Sequence, residues 1–305
     1  TDLEISNNII TNIIAGNGVS LEFYNAEDES KTISVTDNTI DAVSRDGIYA
    51  YLNASTYSGD FSDPSIQFDI SNNTISNAGN DGIEASMDYY VVAHGTISDN
   101  TITDPDASGI YVYVDDSNMI DLSIENNTVT NPADAGVYMF AYGYNTIDIA
   151  LANNTISGGG DGVQLYVSDY SNTIRASLTD NTITGSAGEG VSAGITDSYY
   201  NAFQLEMAGN TVTGHDGHGV ELLNTYSTYN NLIADIHHNV ISDNEGDGIN
   251  IDNSYGAFSG DFNGNTITGN TEDGVHVENT DDMGFYLDLT HNTIKNNSDG
   301  YTATT

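Results

Sequence analysis

Carboxylates placed immediately before a glycine are the residues of this sequence with the clearest potential for chemistry. If the units that carry them stack as neighbouring β-strands do, their side chains lie about 5 Å apart. Like charges at that distance favour proton uptake or cation binding, and a set of oxygen ligands favours calcium. The full set is Asp46, Asp81, Asp161, Glu189, Asp247, Asp273 and Asp299. We predict calcium as a cofactor at Asp247, Asp273 and Asp299, with a solvated acidic edge suited to saline surroundings as the alternative.

Aromatic residues form a second candidate site, because they follow the same glycines at alternating positions. Alternate side chains of a β-strand point to one face of the sheet, so these rings share an outer face. Arrays of tyrosine are suited to stacking on sugar rings or to packing against another protein. The predicted contact face consists of Tyr49, Tyr51, Tyr111, Tyr113, Tyr138, Phe140 and Tyr166. The alternative is that a flanking loop, residues 51–64, folds over these rings.

Further tyrosines are predicted to form a second aromatic rim, in the loop that precedes the third strand of each repeat. They include Tyr89, Tyr90, Tyr142, Tyr144, Tyr170, Tyr199, Tyr200, Tyr226, Tyr229 and Tyr255.

Four histidines lie close together in the sequence and suggest a transition-metal site: His215, His218, His237 and His238. In the repeat described below, His215 and His218 flank a glycine anchor. The other two precede an asparagine anchor. We expect the two pairs on different edges of the fold, which favours solvent-exposed histidine over a shared metal ion.

An internal repeat positions all of these residues. Its first anchor is an asparagine followed two residues later by Ile or Val, and its second is a glycine before Ile or Val, eight to ten residues further on. A fixed period of this length is typical of solenoids. The asparagine anchors are Asn8, Asn38, Asn73, Asn100, Asn127, Asn154, Asn181, Asn210, Asn239, Asn265 and Asn292.

Between the anchors, apolar residues alternate with polar ones, as in Ile120, Leu122 and Ile124. A period of two indicates β-strand, and no window has helical spacing. About three short strands fit in each repeat. The sequence therefore predicts an all-β fold, a right-handed parallel β-helix solenoid of about eleven coils of roughly 27 residues, with residues 1–305 as a single domain.

Each anchor has a predicted structural role at a corner of the coil. Glycine permits a bend that a side chain would obstruct. Asparagine is able to adopt left-handed backbone geometry and to hydrogen-bond to its counterpart in the next coil, forming a ladder. The predicted ladder is Asn73, Asn100, Asn127, Asn154, Asn181, Asn210, Asn239, Asn265 and Asn292. A second predicted column is Asn118, Asn145, Asn172, Asn201 and Asn230.

The Asn-Asn-Thr-Ile and Asp-Gly-Ile units resemble the parallel β-helix repeats of the pectin-lyase-like superfamily, over essentially the whole chain. The resemblance implies the fold and leaves the activity open, because that superfamily contains lyases, hydrolases, epimerases, phage spikes and noncatalytic surface proteins. It also implies that members cleaving uronic-acid polymers generally use Arg or Lys to bind the substrate carboxylate, and that lyases often use one as the base. Arg175 is the only mid-chain candidate, and its outward position equally suits offsetting nearby carboxylates.

Gly217-His218-Gly219 matches a tripeptide of the polygalacturonases within the same superfamily. The downstream Arg-x-Lys that accompanies it there is missing here. We therefore predict no catalytic residue, and the sequence favours a noncatalytic protein over an enzyme, with both left open.

The charge balance restricts the possible partners. Only Lys31, Arg45, Arg175 and Lys295 oppose 45 acidic residues, for a net charge of −41. Nucleic acid and anionic membranes are thereby repelled. No apolar run approaches the roughly 20 residues of a membrane helix, so membrane insertion is not expected. Cysteine is absent, which excludes disulfides and thiolate metal sites.

The leading hypothesis is an extracellular structural or adhesive repeat module, such as a fibre, stalk or surface-layer component, with the tyrosine-rich face as its contact surface. The expected partners are further copies of the chain, other surface proteins or neutral glycans. The alternative is a polysaccharide-active enzyme or glycan-binding domain. Neither end has a predicted capping helix, so we expect part of a longer chain or an end-to-end assembly.

Overall fold

The described residues form a single type of regular structure, the β-strand. The computed structural model describes residues 2–24, 31–54, 66–196, 199–225, 229–280 and 283–304, and these contain strands β1 to β33 and no helix. The strands form three sheets, each of eleven parallel strands. The chain visits the first, second and third sheets in turn and then returns to the first, one coil further along the axis.

The strand bounds follow this order in each sheet. The first sheet contains β1 (Asp2–Ser6), β4 (Lys31–Thr36), β7 (Ile66–Ser71), β10 (Val92–Ser98), β13 (Met119–Glu125), β16 (Thr146–Ala152), β19 (Thr173–Thr179), β22 (Ala202–Ala208), β25 (Asn231–His237), β28 (Ala257–Asn263) and β31 (Phe285–Thr290). The second contains β2 (Ile9–Ile13), β5 (Thr39–Val43), β8 (Thr74–Ala78), β11 (Thr101–Thr103), β14 (Thr128–Thr130), β17 (Thr155–Ser157), β20 (Thr182–Thr184), β23 (Thr211–Thr213), β26 (Val240–Ser242), β29 (Thr266–Thr268) and β32 (Thr293–Lys295). The third contains β3 (Val19–Tyr24), β6 (Ile48–Asn53), β9 (Ile83–Asp88), β12 (Ile110–Asp115), β15 (Val137–Tyr142), β18 (Val163–Ser168), β21 (Val191–Thr196), β24 (Val220–Thr225), β27 (Ile249–Asn253), β30 (Val275–Asn279) and β33 (Tyr301–Thr304).

Inward side chains of the three sheets stack into one continuous apolar core. In the second sheet, Ile75 pairs with Ile102 and Ile102 with Val129, and each is at most 1% exposed. The outward neighbours on these strands are threonine and serine. This alternation satisfies the pleat of a sheet that faces the core on one side only. The predicted all-β parallel β-helix with a repeat of roughly 27 residues is confirmed.

The corner between the first and second sheets is held by the asparagine column. Both the backbone N–H and the side-chain Nδ2 of Asn73 donate to Oδ1 of Asn100, at 2.9 and 3.0 Å. Nδ2 also donates to the backbone oxygen of Val35, at 2.8 Å. The same pattern continues to Asn292. Each buried amide of the column is thereby satisfied, as burial requires.

The backbone geometry at this corner differs from the sequence prediction. The left-handed residue is the one before the ladder asparagine: Asn72 has φ 55° and Asp99 has φ 56°, whereas neither Asn73 nor Asn100 has a positive φ. The assignment of left-handed geometry to the ladder residue itself was therefore wrong. The bend is completed one residue earlier, at an exposed site, which leaves the ladder side chain free to point into the core.

The corner between the second and third sheets requires glycine because two coils approach closely there. A Cβ on Gly82 would lie 2.6 Å from the carbonyl oxygen of Gly109 and would collide with Cγ2 of Ile102. The backbone of one coil therefore rests directly on the next. No side chain fits at Gly82.

Candidate functional site

The predicted contact residues lie on the outer face of the third sheet. Tyr111 pairs in register with Tyr138, and Tyr113 with Phe140, which in turn pairs with Tyr166. Each of these side chains is partly buried, while its neighbours on the same strand point into the core. The strand alternation thus places the five rings side by side on one surface.

Ring contacts join these five residues into a continuous surface, which we call the aromatic strip: Tyr111, Tyr113, Tyr138, Phe140 and Tyr166. The rings of Tyr113 and Phe140 stack with centroids 6.2 Å apart and an angle of 7° between their planes. Tyr111 and Tyr138 are 5.3 Å apart, and Tyr138 meets Tyr166 edge-on at 6.3 Å. Such packing holds each ring in one orientation.

Tyr49 and Tyr51 are separated from the aromatic strip. The intervening strand β9 carries Glu84 and Ser86 at the positions that pair with Tyr111 and Tyr113 on one side and with Tyr49 and Tyr51 on the other. The upstream pair instead packs internally, with rings 6.4 Å apart, and Tyr51 also contacts the ring of Tyr24. Of the loop predicted to cover the face, residues 55–64 lie outside the described residues.

Hydrogen bonds fix the outer edges of these rings. The hydroxyl of Tyr51 donates to Asp88 Oδ2 at 2.8 Å. Tyr166 is 2.6 Å from Ser192 Oγ, and Ser192 donates to Glu221 Oε2 at 2.7 Å. The Ser192 proton is directed to Glu221, so Tyr166 is the donor to Ser192. Burial raises the pKa of Tyr166 to about 12, and the phenol is neutral at physiological pH.

A row of carboxylates borders the aromatic strip along the glycine corner. Burial raises the pKa of Asp81 to about 7, although the Ser108 N–H, which donates to it at 2.8 Å, opposes the rise. Burial, followed by the charge of Asp161, raises the pKa of Glu189 to about 7. The backbone N–H of Glu189 donates to Asp161 at 2.8 Å. This edge therefore offers hydrogen-bond acceptors, and part of it is protonated at neutral pH.

Two of the three carboxylates predicted to bind calcium lie together. The N–H of Asp273 donates to Asp247 Oδ1 at 2.7 Å, and both carboxylates converge with His276. Asp299 is exposed and belongs to none of the candidate metal-binding groups found among the described residues. A second group joins Asp247 to His218 and Glu272. A third consists of Asp46, Asp81 and Glu84.

The four histidines are divided as the repeat predicts. His215 is fully buried next to the glycine corner, so the prediction of a solvent-exposed side chain was wrong for this residue. His218 lies at that corner as well. The Nδ1 atoms of His237 and His238 are 3.1 Å apart at the asparagine corner. His276 was not singled out in the sequence. Its position, three residues after Asp273 on the next outward site of the strand, would have indicated it.

The remaining sequence candidates stay at the surface. Arg175 is 3.4 Å from Asp148, and both side chains are more than half exposed. Four tyrosines of the second rim form two stacked pairs, with ring centroids 5.5 Å apart for Tyr170 and Tyr199 and 5.2 Å apart for Tyr200 and Tyr229. Tyr226 lies outside the described residues.

The family of the chain follows from a family model described as "Right handed beta helix region", which matches residues 17–233. The chain belongs to this family, and its β-helix is right-handed. The resemblance drawn from the repeat units is thus confirmed at the level of the right-handed parallel β-helix. No curated protein sequence matches the chain.

Among solved structures, an alginate epimerase and a mannuronan epimerase are similar to this chain at low identity. A mutant of the periplasmic alginate epimerase AlgG is 12% identical, with a TM-score of 0.44, covering 90% of this chain and 71% of that one. The mannuronan C-5 epimerase AlgE4 A-module of Azotobacter vinelandii is 13% identical, with a TM-score of 0.36 and coverage of 90% of both chains. Similarities at this level carry no inference about the activity of this chain. Within the described residues there is no helix whose length and hydrophobicity would let it span a membrane.

Proposed function

We propose that this chain is an adhesive repeat module that binds a neutral polysaccharide along the aromatic strip. The observation that carries the proposal is the continuity of five outward rings over three adjacent strands, β12, β15 and β18. Flat aromatic faces bury the apolar faces of sugar rings efficiently, and these rings lose little side-chain freedom on binding because their neighbours already orient them.

The charge of the surrounding surface supports a neutral ligand. Asp81, Asp134 and Glu189 lie along the same edge, and burial raises the pKa of each carboxyl. Carboxyl groups accept hydrogen bonds from sugar hydroxyls, whereas a uronate polymer would meet repulsion. The few basic residues of the chain include none at the aromatic strip. A position outside the cell or on its surface is part of this proposal, because an adhesive module has to reach its polymer.

Affinity electrophoresis through neutral glucans, mannans and xylans, with alginate and pectate as acidic references, tests the proposal. We expect retardation in at least one neutral polymer and none in the acidic ones. The Tyr111→Ala/Tyr138→Ala variant should weaken binding about tenfold or more, since each aromatic contact contributes about 0.5–1.5 kcal/mol beyond the buried area and 1.4 kcal/mol is tenfold.

The matched control is Tyr170→Ala/Tyr199→Ala, which removes a stacked pair outside the aromatic strip. Its retardation should equal that of the parent chain. Equal binding by the Tyr111→Ala/Tyr138→Ala variant would remove the aromatic strip from the binding surface. A change of oligomeric state in that variant, seen by light scattering, would point to contact between copies of the chain.

Hydrolysis is a second candidate function, favoured by one observation. Glu189, with a pKa of about 7, adjoins Asp161, and glycoside hydrolysis combines one proton-carrying carboxyl with a second, ionised one. The two side chains share a hydrogen bond, so they would have to separate to the roughly 5 Å that a retaining hydrolase requires. Incubation of the retarding polymer with the chain, followed by a reducing-end assay, distinguishes the two functions. Release that disappears in Glu189→Gln would identify an enzyme, and no release would leave a binding module.

A further inference from the structure

We propose that the glycine corner where strands β24, β27 and β30 begin binds one divalent transition-metal ion, with Asp247 as the central ligand and imidazoles on either side. Two ligand groups overlap there. One is His218, Asp247 and Glu272, and the other is Asp247, Asp273 and His276. Within each group, one donor atom per residue lies within 4.8 Å of the others. Because the groups share Asp247, we expect one ion per chain.

The repeat builds this site from equivalent positions of successive coils. His218, Asp247 and Asp273 each precede a corner glycine, so they lie above one another at the spacing of parallel strands. The N–H of Asp247 donates to His218 Nδ1 at 2.9 Å, and the N–H of Asp273 donates to Asp247 Oδ1 at 2.7 Å. The backbone therefore orients each side chain before any ion arrives, which lowers the ordering cost of binding.

The donor atoms distinguish this site from a calcium site. Each group joins an imidazole nitrogen to carboxylate oxygens. Because Nδ1 of His218 accepts the Asp247 N–H and Nδ1 of His276 lies 2.8 Å from Thr302 Oγ1, Nε2 is the nitrogen that each imidazole offers to an ion. Calcium and magnesium take oxygen ligands almost exclusively. Imidazole together with carboxylate suits zinc, manganese, iron, cobalt, nickel and copper, with affinities that generally rise toward copper. A calcium ion at the predicted residues Asp247, Asp273 and Asp299 would bind carboxylate oxygens alone, without the imidazoles.

Charge and access also favour a cation here. The Asp247 side chain is 6% exposed, and among the described residues no Lys or Arg pairs with it. The nearest imidazole nitrogen, Nδ1 of His218, accepts the Asp247 N–H and so carries no proton for the carboxylate. A buried carboxylate requires compensation, which a bound cation supplies. The site opens onto a surface depression of about 460 Å³ that also carries Thr271, Ser298 and Asn250. An ion can enter from solvent and keep water molecules in its remaining positions.

The test uses the full chain, freed of any affinity tag, stripped with a chelator and dialysed. Titration calorimetry with Zn²⁺ and absorption spectroscopy with Co²⁺ should each report one ion per chain. Ca²⁺ and Mg²⁺ at the same concentrations should give no heat. His276→Gln should weaken Zn²⁺ binding about tenfold or more, as should Asp247→Asn.

Two variants make the outcome unambiguous. The control His237→Gln/His238→Gln removes two imidazoles at the asparagine corner, away from the proposed site, and should leave the affinity for Zn²⁺ unchanged. His276→Gln alters a side chain that is one-third exposed, so it decides the question if Asp247→Asn does not fold. Loss of binding in the control with retention in His276→Gln would overturn the proposal. Binding of Ca²⁺ as tight as that of Zn²⁺ would overturn it as well.

Discussion

At the scale of the single residue, His215 shows how one side chain substitutes for another in a hydrogen-bonded column. The N–H of Ser186 donates to its Nδ1 at 3.1 Å, and its Nε2 is 3.1 Å from the carbonyl oxygen of Ile183. Further along the column, Asn297 makes the equivalent contact with Ile267. The backbone N–H of His215 in turn donates to Asn244. The imidazole thus occupies an asparagine site as a neutral group.

The neutral state of His215 makes stability depend on pH. Burial lowers its pKa below 6.5, so the unfolded chain takes up a proton before the folded one does. The contribution of His215 to the unfolding free energy is therefore complete above the unfolded pKa and declines as the pH falls toward the folded pKa. We expect His215→Asn to remove this pH dependence. The difference in unfolding free energy between the two chains should change by at most about 1.4 kcal/mol per pH unit below pH 6.5.

Denaturant unfolding of both chains at several pH values between 4.5 and 8 (about one-unit steps) measures this difference. Comparing the two chains cancels the carboxyls with raised pKa, such as Asp81 and Glu189, which act in the opposite direction. A difference independent of pH would mean that His215 titrates normally in the folded protein.

The asparagine ladder was accessible to sequence reasoning because its residue type and spacing are constant. The column headed by His215 was not, because it changes residue type and then runs for only three coils, through Asn244, Asn270 and Asn297. The left-handed position also escaped prediction. Several residue types occupy it, among them Asn72, Asp99 and His238, so no single type marks the bend.

At the scale of the element, the turn between the second and third sheets is the most restrictive part of each coil. Its glycine meets the carbonyl group of the glycine in the next coil and an isoleucine or valine side chain. The last glycine of the column, Gly300, has no atom within 4 Å of the Cβ position. Identical residues at equivalent corners therefore have different steric surroundings.

This difference gives a matched pair of substitutions. Gly82→Ala should destabilise the protein by about 1–3 kcal/mol, because its methyl group would collide with Gly109 and Ile102. Gly300→Ala should change the unfolding free energy by less than about 0.5 kcal/mol. Denaturant melts of the two variants beside the parent provide the comparison. Equal losses would show that backbone conformation, and not contact between coils, imposes the glycine.

The contact face illustrates what a column pattern leaves undetermined. The sequence assigned seven rings to one surface, and all seven lie partly buried on outward positions of the third sheet. Which rings touch depends on their side-chain orientation and on the single strand that carries Glu84 and Ser86. The metal-binding corner depends likewise on a residue of the strand, His276, meeting residues of the turn. This contact depends on the backbone direction at the turn, which the spacing of residues in the sequence does not define.

At the scale of the whole molecule, each coil contacts only the coils before and after it. Every strand pairs with strands of the neighbouring coils, and the sheet orders advance by one coil at each step. Stability in such a chain is approximately a sum of the terms for single coils and for the interfaces between them. We therefore expect that coils can be removed or added without changing the structure of the coils that remain.

Deletion of residues 181–209 tests this separability, because it removes one repeat from ladder asparagine to ladder asparagine. Asp180 would then precede Asn210, and the aromatic strip and the metal-binding corner would both remain. We expect a folded protein shorter by about 4.8 Å, with unchanged far-ultraviolet circular dichroism per residue. Small-angle X-ray scattering measures the length. A deletion of half a repeat, residues 181–195, should fail to fold, and a folded product would contradict the one-coil unit.

The asparagine ladder has a direction. In every step from Asn73 to Asn292, the side-chain amide donates to the asparagine oxygen of the next coil, and none donates to the asparagine of the coil before. The amide dipoles therefore align, and each polarises the next along the axis. The core thus contains a hydrogen-bonded ladder whose dipoles add along the axis, so the two ends of the solenoid differ electrostatically. A further coil would continue this ladder only if its asparagine oxygen faced the amide of the coil before it, so a ladder shared by two copies would require head-to-tail stacking.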